Sequence, residues 1–99
     1  MFGGDMLGKL AEMKKAAEES KARLDQITVS GEAGNGLIVI ELSGNRNVRS
    51  VKVNTDLKFM EQEDLEDLLS VALQRALDNV NAINEQEVMA SAKNLFPGM

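Results

Sequence analysis

An enzyme needs a base, a nucleophile or a metal held in a pocket. In this chain of 99 residues the supply is thin, because there is no cysteine and no histidine. The densest carboxylate run is Glu61, Glu63, Asp64, Glu66 and Asp67, which could hold a hard cation through its oxygens. It lacks the Asp-x-Asn/Asp-x-Asn/Asp-Gly loop that would make such a site specific, and it stands where acids favour the positive end of a helix dipole. It is read as a solvated helix face. Gly31-x-x-Gly34-x-Gly36 has the outline of a phosphate-cradling loop, but such a loop follows a strand and opens a helix. Here a strand follows, so the glycines are read as a hairpin turn. No enzymatic activity, cofactor, metal site or small-molecule substrate is expected.

Cations are the remaining chemistry. Lys9, Lys14, Lys15, Lys21 and Arg23 come early in the chain, and Arg46, Arg49 and Lys52 follow in its middle. A charge-balanced helix reads first as solvated surface, and a net charge of −5 does not concentrate a protein on polyphosphate. The acidity is uneven, however. Residues 1–25 are neutral overall, whereas residues 59–99 set Arg75 and Lys93 against eight acids. Two-fold symmetry would change the geometry, since two arms with a few cations each can grip a duplex that one would not hold. No helix offers a base-reading set of Arg, Asn or Gln, and the only aromatics are Phe2, Phe59 and Phe96, too few for a single-strand stacking platform. Any binding would be to phosphates and shape. These eight basic residues are the candidate DNA contacts.

The elements that must position them are legible from periodicity. Asp5 is a plausible N-cap for a first helix over 5–25, about 30 Å long, after a flexible start over 1–4. Met6, Leu10, Met13, Ala17, Leu24 and Ile27, with Ser20 in the missing slot, repeat at alternating spacings of four and three. That is a narrow heptad seam. It fits an intramolecular hairpin with the last helix, an arm reaching out from the sheet, or both. Three strands follow over 27–32, 37–42 and 47–54. Ile27-Thr28-Val29-Ser30 alternates apolar with polar residues, Gly34-Asn35-Gly36 turns the chain, and Ser43-Gly44-Asn45 turns it again. In the third strand Arg49 is expected to share a face with Val51 and Val53, with Ser50 and Lys52 opposite. A last helix over 61–93 places Leu65, Leu68, Leu69, Ala72, Leu73, Ala76, Val80 and Ile83 on one broad apolar face. The methionines read as seam and core filler, and residues 94–99, with Pro97, as a flexible tail.

The central strand is apolar on both sides: Leu37 and Val39 point one way, and Ile38, Ile40 and Leu42 the other. One helical layer covers one face, so the other asks for another sheet, a second helical layer or another copy of the chain, and this is read as the first sign of a dimer. Leu37, Ile38, Val39, Ile40, Leu42, Val51 and Val53 are the candidate dimer interface. A domain of this size removes only roughly 60–70% of its unfolded surface from water, and burial between protomers would offset that shortage. Absence of cysteine, of a signal peptide and of any apolar run near the roughly eighteen residues that span a bilayer points to the cytoplasm and away from membranes.

The ordered set of motifs resembles the YbaB/EbfC family of nucleoid-associated proteins over nearly the whole chain. It comprises Met1-Phe2-Gly3, the lysine- and methionine-bearing heptad helix, Gly31-Glu32-Ala33-Gly34-Asn35-Gly36-Leu37-Ile38-Val39, Gly44, Val51-Lys52-Val53, Leu65-Glu66-Asp67-Leu68, Ala72, Ala76 and Pro97-Gly98-Met99. Thr55 stands where many relatives have Pro. The resemblance implies a tweezers-like homodimer whose sheets join the protomers and whose helices project as arms. It also implies low-specificity binding of double-stranded DNA in the nucleoid, with altered DNA conformation and an influence on gene expression, and no enzyme or cofactor. The expectation is thus a single α+β domain over 1–99, ordered α-β-β-β-α. The alternative is a dimeric adaptor whose seam and acidic last helix dock a protein, with DNA binding weak or absent.

Overall fold

The computed structural model describes the backbone of residues 2–95 and the side chains of residues 6–93. Helix α1 spans Phe2–Asp25, strands β1 Thr28–Ala33, β2 Ile38–Ser43 and β3 Val48–Val53 follow, a single 3-10 turn covers Leu57–Phe59, and helix α2 runs from Gln62 to Leu95. The order is α-β-β-β-α, as read from the sequence, with an antiparallel sheet in the order β1-β2-β3. Helix α1 starts earlier than Asp5, because Gly3 and Gly4 join it despite a propensity cost of about 1 kcal/mol each. Of the expected tail, residues 96–99 lie outside the described residues.

The strands pair in the register of a meander, with Gly31 opposite Ile40 and Ile40 opposite Val51. The first turn is left-handed at Gly34, Asn35 and Gly36, which asks for residues that tolerate positive φ. Between β2 and β3 the register shifts at Glu41/Leu42, so that Glu41 faces Ser50 while Leu42 faces Val48. Arg49 is the extra residue of this bulge. Val48 therefore joins the face of Val51 and Val53. The expected partnership of Arg49 with those valines is replaced by a hydrogen bond from its guanidinium to the carbonyl of Asp25.

The core is one layer of helix on one face of sheet. Ala33, Ile38, Ile40 and Leu42 are buried against Ala72, Ala76 and Val80 of α2, with Leu65, Leu68, Leu69 and Leu77 packed around them. Gly31, grouped in sequence with the turn glycines, lies inside β1 and serves packing. A Cβ there would collide with the backbones of Ala72 and Ala76, so glycine opposite two alanines lets the helix backbone rest on the strand. Gly44 does the same at the sheet's other end. A Cβ would stand 2.5 Å from the carbonyl oxygen of Leu24, and the Gly44 amide donates to the carbonyls of Leu24 and Ile27.

The opposite face of the sheet is polar rather than apolar. Around Val39 stand Ser30, Glu32, Glu41, Ser50 and Lys52, and Glu41 accepts from Ser50 at 2.6 Å and pairs with Lys52 at 3.3 Å. The need for cover on that face is smaller than the alternation in β2 suggested, because neighbouring strands decide what surrounds Val39. Gly31→Ala is expected to lower unfolding free energy by roughly 1–3 kcal/mol through overpacking, read from urea denaturation, whereas Gly8→Ala, with open space around it, should be neutral or stabilising.

Candidate nucleic-acid interface

Helix α2 is longer than the sheet it covers, and its C-terminal part runs antiparallel to the second half of α1. Leu24 is buried where α1 meets the β2–β3 turn, Arg23 reaches Glu87, and the chain measures 70 Å in its longest dimension against about 20 Å in the others. The first turns of α1 extend beyond this contact, with Met6, Leu7 and Leu10 exposed. Hairpin and projecting arm are thus both present: the helices pair near the sheet, and α1 overhangs.

The eight candidate cations divide by type. All three arginines among them brace one element to another. Arg23 bonds Glu87 of α2 through Nε, at 3.1 Å, and Nη2. Arg46, at positive φ in the β2–β3 turn, donates Nε and Nη2 to Asn81 Oδ1 at 3.1 and 2.8 Å. Arg49 ties β3 to the end of α1. Lys52 is paired across the sheet with Glu41. The lysines of α1 are exposed. Lys15 makes a long contact of 4.0 Å to Glu19 one turn on, a geometry worth little, and Lys14 and Lys21 form no ion pair among the described residues. Seven residues apart, those two share one side of the helix. Of the eight candidates, Lys9, Lys14, Lys15 and Lys21 are the ones that stand exposed along α1 without bracing it to another element among the described residues.

Sequence reading missed the side chains that hold this geometry. Arg75 donates to the carbonyl of Glu32 at 2.8 Å and Asn79 to that of Ser30 at 2.7 Å, so α2 occupies carbonyls of β1. Asn84 donates to the carbonyl of Gly44 at 2.7 Å. Their signal was a set of Asn and Arg on the flanks of an otherwise apolar helix face, each fitted to open backbone carbonyls.

Helix α2 lies over β1 and β2. With Arg75 and Asn79 on the β1 flank, the opposite flank with Leu73, Leu77 and Asn81 faces β3. Val48, Val51, Val53 and Leu73 are left exposed there, at 63, 52, 39 and 41%. Of the residues named as a dimer interface, Ile38, Ile40 and Leu42 are spent on the protomer's own core, Leu37 and Val39 are half-buried, and Val51 and Val53 are open. The acids Glu61, Glu63, Asp64, Glu66 and Asp67 are all exposed at the start of α2. Among the described residues no helix is long and apolar enough to cross a membrane.

A family model described as the YbaB/EbfC DNA-binding family matches residues 2–95. The chain belongs to this family. Proteins named nucleoid-associated protein are similar to it over most of their length. One from Flavobacterium johnsoniae is 33% identical over 95% of this chain and 88% of its own. One from Beijerinckia indica is 36% identical over 85 and 87%. Among solved structures, an uncharacterized Helicobacter pylori protein superposes with a TM-score of 0.78 at 16% identity, covering 86% of this chain and 90% of its own, which supports the fold alone. Within this YbaB/EbfC chain the exposed lysines lie along α1, which Arg23 and buried Leu24 tie to α2 and to the β2–β3 turn.

The brace between Arg23 and Glu87 links that arm to pH. Hydrogen bonds from Arg23 and Ser20 hold the Glu87 carboxyl below the usual carboxylate range. A lowered folded pKa means that the stabilisation is present above the ordinary range and is lost as pH falls through the lowered value. Glu87→Gln should therefore loosen α1 from α2 at neutral pH, seen as faster amide exchange over residues 13–24, and the difference from wild type should vanish in acid.

Proposed function

We propose that this protein binds duplex DNA as a homodimer in the nucleoid, through phosphate contacts with little sequence preference, and thereby alters DNA conformation. The observation that carries this reading is the division of cations. The arginines are committed to bracing one element to another, Arg23 and Arg49 at α1 itself, while Lys9, Lys14, Lys15 and Lys21 stand exposed along it. A lysine on a flexible stem meets a phosphate as a point charge without reading a base. The relatives named nucleoid-associated proteins support the same reading.

The homodimer rests on what α2 leaves uncovered. Side chains of α2 cap β1, whereas β3 is the other edge of the sheet, with its valines open beside Leu73. An open edge next to an apolar strip favours a second copy of the same surface related by a two-fold axis. Two such protomers would carry two arms, so that cations too few on one would act together on a duplex.

Val51→Asp with Val53→Asp should convert dimers to monomers in sedimentation while leaving helical content unchanged. A wild-type protein that sediments as a monomer at micromolar concentration would contradict the dimer. For DNA, the check is anisotropy of a labelled mixed-sequence duplex between about 50 and 200 mM salt. Lys14→Ala with Lys21→Ala should weaken binding on any sequence and lower the log–log salt slope by about one for each phosphate contact removed. Absence of wild-type binding at low salt would refute the reading.

A further inference from the structure

Phosphate has no use for the apolar part of the arm. Between α1 and α2 runs an open groove of about 400 Å³, walled by Met13, Ala17 and Leu24 on one side and by Val88 and Ala92 on the other, with Ser91 in its floor. Met13 and Val88 remain 47 and 67% exposed, and the seam continues outward through exposed Leu10 and Met6. The Ser91 hydroxyl is sealed from solvent without a hydrogen-bond partner among the described residues. Two helices presenting a shared apolar trough are two members of a three-helix arrangement.

Charge selects the third. Lys21 lines the groove, and Lys14 stands one heptad before it on the same side of α1. In heptad terms the seam of α1 is flanked by Lys14 and Lys21 on one side and by Lys9 and Arg23 on the other, while Glu12, Glu18 and Glu19 lie further round. Two copies of α1 laid seam to seam would set cation against cation in either direction, which opposes self-pairing. A helix with acids beside its apolar stripe meets complementary charge, and the chain already shows one such contact, Glu87 of α2 on Arg23.

We propose that the groove between α1 and α2 is a docking site for an acidic amphipathic helix of a protein partner, its apolar residues on Met13, Ala17 and Val88 and its carboxylates on Lys14 and Lys21. This surface is distinct from the β3 flank assigned to the dimer. The site stands whether or not the arm also holds DNA, and because it shares lysines with the phosphate surface, an occupied groove lowers DNA affinity.

The test uses the full chain and a labelled synthetic helix of about three heptads, with Leu at the a and d positions and Glu at e and g. A peptide of the same composition with the stripe scrambled is the control. Wild-type protein should bind the striped peptide about tenfold or more tighter than the scrambled one. Val88→Asn, at an exposed position, should abolish that preference without adding charge to the arm, leaving DNA affinity and sedimentation unchanged. Lys14→Glu with Lys21→Glu should transfer the preference to a striped peptide bearing Lys at e and g, a reversal that mere loss of structure does not produce. Equal binding of striped and scrambled peptides, or none, overturns the proposal. So does a change of oligomeric state in Val88→Asn, which would give the groove to a second copy, or a loss of DNA affinity in that variant, which would give it to DNA. The peptide-binding and sedimentation outcomes do not depend on whether wild-type protein binds DNA.

Discussion

The close approach of α2 to β1 at Gly31 is the constraint from which the rest follows. Removing the Cβ from one strand position and placing Ala72 and Ala76 opposite brings helix backbone against strand backbone. At that distance Arg75 and Asn79 can reach the carbonyls of Glu32 and Ser30. The helix is thereby drawn to one side of the sheet. A helix about 10 Å across centred there covers β1 and β2, and β3 keeps its valines in the open. The uncovered flank is a geometric consequence of where the smallest side chains are.

The same logic of reach explains how the cations are divided. A guanidinium offers several donors in a fixed plane and can grip a carboxylate, an amide oxygen or a backbone carbonyl while staying charged. The four arginines of the chain each bond another element: Arg23 to α2, Arg46 to Asn81, Arg49 to the end of α1 and Arg75 to β1. Lysine, compact and strongly hydrated, gains less from such fixed contacts and stays in solvent. The net acidity of the chain does little to the arm, because the acidic run near Asp64 is about 40 Å of helix away from Ser91 at 1.5 Å per residue, several Debye lengths at physiological salt.

Much of the fold was legible because its signals are local. The order of elements, both turns and the apolar face of α2 follow from spacing and turn chemistry. Of the face predicted from Leu65 to Ile83, Ala72, Ala76 and Val80 are the positions fully buried. What was not legible depended on two segments far apart in sequence. The bulge at Arg49 is an event of pairing, so parity counted along β3 alone misplaces that residue relative to Val51. The polar surroundings of Val39 belong to β1 and β3, so β2 read by itself asks for more cover than the sheet needs. Gly31 looks like a turn glycine until the helix that rests on it is known.

The amino-acid sequence alone therefore determined the α-β-β-β-α order, the positions of the turns, the heptad seam of α1 and the absence of the cysteine and histidine on which much catalysis depends. Only the tertiary structure decided which cations are braces and which are free, because an ion pair such as Arg23 with Glu87 joins residues 64 apart. It alone decided that α2 stops short of β3, and that the outer half of the seam stays open beside Val88. Periodicity along a helix says which residues share a face, but what covers that face is set by packing between elements, and packing is a property of the folded chain.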